Sequence, residues 1–344
     1  MFKKWFKKYP KKKLKKEPQG KVKKNTKKYK FSLARRISLL VAVLTLIVSI
    51  GLGLVSAVNS SKALINQTEH ALLELSQEGV NHIEAIIEKD LSIIGELANR
   101  EETRSMDWDV QRESLKVDIG RLGFLDMAIV QPDGKARYIL GGETLDLGDR
   151  DYVKNAFKGK ANVSNVIISE VTNKPVVMYS APIKQGNRIA GVLVVRRDGT
   201  VLSDITDTMG FGENGYAYII GADGTIYAHP DGENVLNQKN VFEDTEDNRE
   251  FKECGQAIKE LGNTKKGIIN YELSGSKRYI GMSTMPSTGW MVGVGAYEND
   301  ILDELNTLKF TTFIVVVAFM AFGIIMAMFL GKSISTPIVE LSGI

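Results

Sequence analysis

The sequence predicts an α+β fold in which a long N-terminal helix and two antiparallel-sheet subdomains are flanked by two transmembrane helices. Three observations lead to this prediction. Two runs of more than 20 residues carry no charged side chain, an apolar pattern with helical spacing follows the first run, and a β-rich motif occurs twice, 90 residues apart. Together these features divide the 344 residues into two spans and one large domain between them.

Residues 1–36 form a strongly basic leader. They hold 15 Lys and 2 Arg against a single acid, Glu17, for a net charge of +16, whereas the rest of the chain carries a net charge of −12. Such a difference indicates that the two parts face different environments. The leader could bind nucleic acid, but its place just before an apolar run favours contact with anionic lipid and a role in membrane orientation. We therefore predict a lipid membrane, and no nucleic acid, as its partner.

Residues 37–58 and 310–330 are predicted to be transmembrane helices. They contain 22 and 21 residues without a charge, and at about 1.5 Å per residue each crosses a hydrocarbon core of about 30 Å. Val55-Ser56-Ala57 resembles a signal-peptide cleavage site, but the apolar run is longer than a signal peptide needs, which favours an uncleaved anchor. The excess of Lys and Arg before the first span predicts a cell-membrane protein with both termini in the cytoplasm and residues 59–309 outside.

Residues 59–105 are predicted to form one long helix that continues out of the membrane. Apolar side chains follow steps of three, four or seven residues, with charged side chains between them. This apolar stripe either covers the domain's own sheets or pairs in part with a second protomer, and the two are not exclusive. The second possibility predicts a homodimer. The stripe consists of Ile65, Leu72, Leu75, Ile83, Ile86, Ile87, Leu91, Ile94 and Leu97.

Two β-rich subdomains are predicted to follow, because an internal repeat is visible in the sequence. An apolar stretch that ends in the turn Asp133-Gly134 recurs as one that ends in Asp223-Gly224, and Asp-Gly is a frequent turn pair. We predict a distal subdomain at 106–205, a proximal subdomain at 206–297 and an exit helix at 298–309. The predicted strands are 125–130, 136–140, 176–183 and 189–195 in the first subdomain, and 216–220, 225–229, 267–273, 278–284 and 290–296 in the second.

In the segment Gly212-Glu213-Asn214-Gly215-Tyr216-Ala217-Tyr218-Ile219, with Asp223-Gly224 and His229-Pro230 after it, the chain resembles the start of the membrane-proximal half of a double Cache (tandem PAS-like) sensor domain. In Leu147-Gly148-Asp149-Arg150-Asp151-Tyr152 it resembles the pocket-side segment of the distal half. In Ile334-Ser335-Thr336-Pro337-Ile338 it resembles the opening of a HAMP linker, which we predict at residues 331–344. The resemblance implies two PAS-like subdomains and a methyl-accepting chemotaxis receptor truncated at the start of its HAMP linker.

The same resemblance implies a small-molecule ligand site in the distal subdomain. Amino-acid-binding members of the family hold the carboxylate with an Arg and an aromatic pair, and the ammonium with Asp residues. Arg150 matches that Arg, and Tyr152 takes the place of the expected Trp. Ser169 and Arg196 stand where the acidic residues would be, which favours a carboxylate ligand without an amine, because Arg196 would repel an ammonium group.

Less specific interpretations of these residues remain open. Arg150 could pair locally with Asp149 or with the acid that follows it, Asp151, and Arg196 could be the charged end of a hairpin. Tyr138 and Tyr179 could line the same cavity, or they could be ordinary core aromatics.

The sequence predicts neither an enzyme nor a cofactor or metal site. It contains no phosphate-binding loop, no nucleophile–base set and no cluster of metal ligands, and its single cysteine, Cys254, permits no intrachain disulfide.

The resemblance implies a chemosensory receptor that signals through the second span to a HAMP linker and to the cytoplasmic chemotaxis machinery. Two alternatives stay open: the input half of a sensor histidine kinase or diguanylate cyclase, with kinase machinery as the partner, and an anchored binding protein without signalling output.

Overall fold

The computed structural model describes residues 33–169, 172–243, 251–262, 266–273 and 275–342. The basic leader therefore lies outside the described residues as far as residue 32. The chain divides into two compact units, one of them Gly53–Phe313 and the other made of the segments up to Leu52 and from Ile314.

The second of these units is formed by parts of two long helices, α1 at Leu33–Asn99 and α8 at Glu298–Ser342. By length and composition, both helices contain segments that could cross a membrane, within Ser38–Asn99 and at Lys309–Leu330. The two helices pack closely, because the Ser38 hydroxyl donates a 2.8 Å hydrogen bond to the Ala327 carbonyl. A Cβ added to Gly323 would lie 2.5 Å from the Thr45 side chain, so a small residue is needed at this crossing.

The larger unit contains two antiparallel sheets in succession. In the first, six strands are ordered β3-β2-β1-β6-β5-β4, and in the second, five are ordered β8-β7-β11-β10-β9. The first-sheet strands are β1 Asp126–Val130, β2 Lys135–Tyr138, β3 Leu145–Asp146, β4 Asn162–Ile168, β5 Pro175–Gln185 and β6 Arg188–Asp198. The second-sheet strands are β7 Tyr216–Ile220, β8 Ile226–Ala228, β9 Gly267–Leu273, β10 Ser276–Thr284 and β11 Met291–Tyr297.

Shorter helices connect and cover these sheets. They are α2 Glu101–Arg104, α3 Trp108–Leu122, α4 Asp151–Phe157, α5 Thr200–Thr206, α6 Gly232–Leu236 and α7 Lys252–Glu260. The repeat identified in the sequence corresponds to β1 and β7. In the first sheet β1 lies between β2 and β6, and in the second sheet β7 lies between β8 and β11. The predicted fold class, a long N-terminal helix with two antiparallel sheets and two candidate membrane helices, is confirmed.

The core lies where α1 crosses one face of each sheet. Strand side chains alternate between faces, so Met127 and Ile129 of β1 pack in the same apolar cluster as Ile83 and Ile94 of α1, whereas Ala128 points to the opposite face. We call the face toward α1 the inner face and the opposite one the outer face. The outer faces have their own apolar clusters, which α4 covers on the first sheet and α7 on the second.

The structure contains elements that the sequence prediction lacked, among them strands β3 and β4 and the short helices. Helix α3 was not predicted, and local caps define it: Asp107 accepts hydrogen bonds from the backbone N–H groups of the first turn, and Gly123 ends the helix with a φ of 70°. At the other end, α8 continues to Ser342 and includes Pro337, which belongs to the segment that resembles the opening of a HAMP linker. A proline removes one backbone donor, and here the helix runs on through that position.

Candidate ligand-binding site

The outer face of the first sheet carries four of the six residues that the sequence analysis selected. Helix α4 lies over this face and buries Tyr152 and Val153 against small and branched side chains of the central strands, among them Ala128 and Val194. Because alternate residues of a strand share a face, Asp126 of β1 and Arg196 of β6 also belong to it. The resulting cluster, which we call the distal site, consists of Asp126, Tyr138, Arg150, Tyr152 and Arg196.

Arg196 is held between a tyrosine ring and a carboxylate. It is the direct cross-strand partner of Asp126, and its guanidinium carbon lies 5.8 Å from the centre of the Tyr138 ring. Its Nε atom is buried, and no hydrogen-bond partner for it exists in the described part of the chain. A buried donor without a partner is unfavourable until an acceptor is supplied.

Asp126 is a member of the distal site that was not selected from the sequence. Only 5% of it is exposed, and its Oδ1 atom accepts hydrogen bonds from the backbone N–H groups of Met127 (2.8 Å) and Leu140 (3.2 Å). Burial raises the pKa of its carboxyl group, although these hydrogen bonds and the charge of Arg196 oppose the shift. The available signal was an acid at the start of an apolar strand.

Arg150 and Tyr152 form the α4 side of the distal site. Burial raises the pKa of Tyr152 to about 12, and the nearby Tyr138 adds to the shift while the charge of Arg150 opposes it. The Arg150 side chain is exposed, and it makes no ion pair shorter than 4.0 Å with any residue that the structure describes. Asp149 instead lies 3.6 Å from Lys154, so the local pairing considered for Arg150 is not formed.

Tyr179 and Ser169 lie elsewhere, and the structure corrects their placement. Tyr179 is on the inner face of β5, where burial and the Asp90 carboxylate raise its pKa. The alternation of side chains along β5 therefore excludes Tyr179 from the distal site. Ser169 is in the turn after β4, two strands away from Arg196, and its hydroxyl accepts a hydrogen bond from the backbone N–H of Thr172.

The distal site therefore combines two guanidinium groups with one carboxylate. Burial raises the pKa of Tyr138, and the charges of both Arg196 and Arg150 oppose that shift. A cluster with more positive than negative charge, on a partly desolvated surface, attracts an anion. The planar fork of a guanidinium group matches a carboxylate with two parallel hydrogen bonds.

The sequence has relatives among the chemotaxis receptors. It is 26% identical over 197 residues to the methyl-accepting chemotaxis protein McpA of Bacillus subtilis (strain 168), which is 57% of this chain and 27% of McpA. It is also 26% identical over 326 residues to TlpA of the same organism, which is 89% of this chain and 45% of TlpA. The chain thus spans less than half the length of these two relatives.

Solved sensory domains share the fold of the larger unit. The ligand-binding domain of the Pseudomonas aeruginosa PAO1 amino acid chemoreceptor PctB, in complex with L-Arg, matches with a TM-score of 0.54 and 18% identity, over 68% of this chain and 97% of PctB's domain. The sensory domain of Campylobacter jejuni Tlp3 (CcmL) gives 0.55 and 17%, over 70% and 98% of the two chains. The Pseudomonas fluorescens CtaA domain with L-isoleucine gives 0.58 and 15%, over 72% and 99%.

The decisive match is to a family model. Residues 60–305, which include α1 beyond the first predicted span, both sheets and the start of α8, match the model described as a Cache domain. The relatives named above are chemotaxis receptors and sensory domains, which are not enzymes. This chain belongs to the Cache domain family, in its double Cache form.

Proposed function

We propose that this chain is the sensory input of a membrane-bound chemotaxis receptor that binds a small carboxylate at the distal site. The observation that carries the proposal is the two guanidinium groups of Arg150 and Arg196 in the distal site, whose carboxylate is that of Asp126. Asp149 and Asp151 flank Arg150 in sequence, but among the described residues neither forms an ion pair with it within 4.0 Å. A carboxylate ligand would accept from the buried Nε of Arg196 and would balance the excess positive charge. Its remaining atoms would lie against the tyrosine rings and α4.

A second candidate ligand is an amino acid, and one specific observation favours it. Asp126 is a carboxylate within the distal site, and it could hold the ammonium group that the sequence analysis considered unsupported. The solved domains of PctB and CtaA hold amino acids. One oxygen of Asp126 already accepts two backbone N–H groups, which leaves its other oxygen for such a contact.

Ligand-induced thermal stabilisation of the full chain in lipid nanodiscs tests this proposal. The probes are acetate, pyruvate and succinate, each compared with L-alanine and L-serine. We expect at least one carboxylate without an amine to raise the Tm more than the amino acids do, because the distal site carries more positive than negative charge. Arg150→Ala and Arg196→Gln should each abolish the shift, since the loss of a desolvated arginine contact costs about 2–5 kcal/mol, or about 30- to 4,000-fold in Kd.

The controls separate the candidates. Arg188→Gln removes an exposed arginine at the start of β6, outside the distal site, and should leave every shift unchanged. A larger shift with amino acids that disappears in Asp126→Asn would establish the second candidate. Shifts that survive both Arg150→Ala and Arg196→Gln would show that the ligand does not bind at the distal site.

We further propose that α8 carries the signal through the second span to a HAMP linker. Two contacts support this proposal: Asn214 donates from its backbone N–H and its side chain to Asp300 at 3.1 and 3.0 Å, and the Tyr279 hydroxyl donates to Glu298 at 3.1 Å. Both tie the second subdomain to the first turn of α8. We expect a fusion of residues 1–342 to the cytoplasmic part of a known chemoreceptor to give a carboxylate-dependent swimming response. A fusion that binds the ligand but gives no swimming response would contradict the proposal that α8 carries the signal.

The kinase and cyclase alternatives share this input, and an anchored binding protein would not need the α8 contacts. A homodimer through residues 59–105 also remains a proposal. The apolar stripe of α1 primarily covers its own sheets, and partly buried residues such as Ile65, Leu75 and Leu91 are left to contribute to a dimer contact. Sedimentation of the detergent-solubilised chain across a concentration series would distinguish a dimer from a monomer.

A further inference from the structure

The outer face of the second sheet contains a cavity of about 540 Å³ that the proposed function does not use. Tyr216 of β7, Arg278 of β10 and Tyr297 of β11 contribute side chains from the sheet. His229 and Phe251 contribute from the segments that lead into α6 and α7. The cavity is large enough for a small organic molecule and lies in a different subdomain from the distal site.

Arg278 is the permanent cation among the lining residues that the structure describes, and its partners are tyrosines. Its Nη1 atom donates a 3.2 Å hydrogen bond to the Tyr216 hydroxyl. Its guanidinium carbon lies 5.5 Å from the ring centre of Tyr216 and 5.0 Å from that of Tyr297. The Nε atom is buried, and the described residues provide it with no hydrogen-bond partner.

The internal repeat places a tyrosine in the second sheet where the first sheet has an acid. With the 90-residue offset, Tyr216 occupies the position that Asp126 has in the first sheet. Asp126 faces Arg196 on the adjacent strand β6, whereas Tyr216 contacts Arg278, two strands away on β10, through its hydroxyl and ring. Two acids do line the cavity, Asp207 and Asp231, but neither forms an ion pair within 4.0 Å of Arg278.

His229 is held at the cavity wall by its neighbours. Its Nδ1 atom accepts a 2.9 Å hydrogen bond from the backbone N–H of Asp231 and lies 3.2 Å from the Asn234 amide nitrogen. The cavity offers one guanidinium group, aromatic rings, the apolar side chains of Met209 and Leu273, and the carboxyl groups of Asp207 and Asp231.

We propose that this cavity is a second ligand site that binds a small monocarboxylate with an aromatic or apolar body. The carboxylate contacts Arg278 and supplies the missing acceptor for its Nε atom, and the body contacts the rings of Tyr216 and Tyr297. Uncharged molecules of the same shape bind less well, because they leave the guanidinium without a counter-ion.

The position of the cavity connects such a ligand to the exit helix. Tyr297 is the last residue of β11, and α8 begins at the next residue. Asn214, which also lines the cavity, holds Asp300 of α8 through the two hydrogen bonds described above. A molecule that moves either residue acts on the first turn of α8 without involving the distal site.

The test uses 4-fluorobenzoate as the probe and ¹⁹F NMR line broadening of the probe with the full chain in nanodiscs. We expect saturable binding to the unsubstituted chain and to Arg196→Gln, and a Kd at least tenfold weaker in Arg278→Gln. Arg278→Lys keeps the charge but loses the planar fork, so it should retain part of the affinity. The matched probe 4-fluorobenzyl alcohol lacks the charge and should bind at least tenfold more weakly than the acid.

Three results would overturn the proposal: no saturable binding at millimolar probe, equal affinity in Arg278→Gln, or loss of binding in Arg196→Gln alone. The last result would assign the probe to the distal site. Thermal unfolding of each variant without ligand shows whether the fold is intact, and Arg278→Lys provides the comparison if Arg278→Gln does not fold. Because Arg196→Gln disables only the distal site, failure of the proposed function and failure of this second site are distinguished.

Discussion

At the residue scale, three buried carboxyl groups differ in their partners and in the direction of their pKa shift. Asp90 contacts Arg197 at 3.1 Å on the inner face, and Asp126 accepts backbone N–H groups on the outer face. Burial raises the pKa of both carboxyl groups, and their cationic neighbours oppose the shift. Asp118 of α3 differs, because burial is outweighed there by two arginines. Hydrogen bonds and charges from Arg121 and Arg100 hold the pKa of Asp118 below its usual value.

Asp118→Asn should lower the free energy of unfolding at pH 7 by about 1–2 kcal/mol. The carboxylate is 5% exposed and accepts from Arg100 at 2.6 Å and also from Arg121. The arginine side chains are 34% and 61% exposed, so solvent screens part of the interaction. The expected loss of free energy of unfolding is therefore smaller than for a fully buried pair. Denaturant unfolding of the full chain in detergent measures the difference.

The pH dependence of this variant has a definite sign. A folded-state pKa below the unfolded value of about 3.9 means that the carboxylate stabilises the fold above that pH. The contribution is lost as the pH falls through the lowered folded-state value. The difference in free energy of unfolding between the unsubstituted chain and Asp118→Asn should therefore become smaller below about pH 4. The control is Asp204→Asn, at an exposed position of α5, whose free energy of unfolding should differ little from that of the unsubstituted chain at any pH. A gap that does not depend on pH would contradict this assignment.

The residue scale also shows which part of the distal site was predictable. Arg150 and Tyr152 follow from a local segment that resembles a family motif, so their neighbourhood could be read along the chain. Asp126 could not, because its closeness to Arg196 depends on the register between β1 and β6, which are 70 residues apart. The sequence left Tyr179 open between a cavity-lining and a core position for a related reason. Only the position of β5 in the sheet decides which face a given residue occupies.

At the element scale, a close contact joins α1 to the second sheet. The hydroxyl groups of Ser76 in α1 and Ser283 in β10 share a buried 2.8 Å hydrogen bond. Two residues earlier on the same face of β10, Gly281 lies directly against the α1 backbone at Leu72. This approach requires a residue without a side chain, and it holds the helix at a fixed position on the sheet.

Gly281→Ala should destabilise the chain by about 2–4 kcal/mol. An added Cβ would overlap the backbone carbonyl of Leu72, and neither the helix backbone nor a central strand can move away without disrupting the packing around it. The matched control is Gly120→Ala in α3, where nothing lies within 4 Å of an added Cβ. That change should stabilise the chain by up to about 1 kcal/mol, because alanine favours a helix. Thermal unfolding by circular dichroism compares them, and equal melting of Gly281→Ala and the unsubstituted chain would refute the close approach.

Elements were predictable where the apolar pattern was long or repeated. The periodic stripe of α1 and the hairpins around Asp133-Gly134 and Asp223-Gly224 carry strong local signals, and the structure has helix and strands there. Helix α3 lacks such a stripe, since four of its 15 residues are buried and two of these are Gln111 and Asp118. Its capping residues, Asp107 and Gly123, were visible in the sequence and define the helix better than its apolar pattern does.

At the scale of the whole molecule, charge and hydropathy follow the predicted membrane arrangement. A basic leader precedes the first apolar segment of α1, and the two helices with candidate membrane-spanning segments flank the Cache domain in the sequence. The exposed apolar residues of α1 end at Val58, and those of α8 begin at Phe310. In the described part of α1 beyond Val58, large apolar side chains are buried or partly buried against the domain's own sheets.

The orientation of the two helices is tested by cysteine labelling in intact cells. Lys62→Cys places a thiol at an exposed position after the first apolar segment, and Ser342→Cys places one after the second. If the excess of Lys and Arg keeps the leader in the cytoplasm, a membrane-impermeant maleimide should label Lys62→Cys and not Ser342→Cys, and a permeant maleimide should label both. The native Cys254 gives little background, because it is 3% exposed and burial raises the pKa of its thiol. Labelling of Ser342→Cys alone by the impermeant reagent would show an orientation opposite to the predicted one. Loss of residues 1–57 from the mature protein would show that the first apolar segment is a cleaved signal peptide.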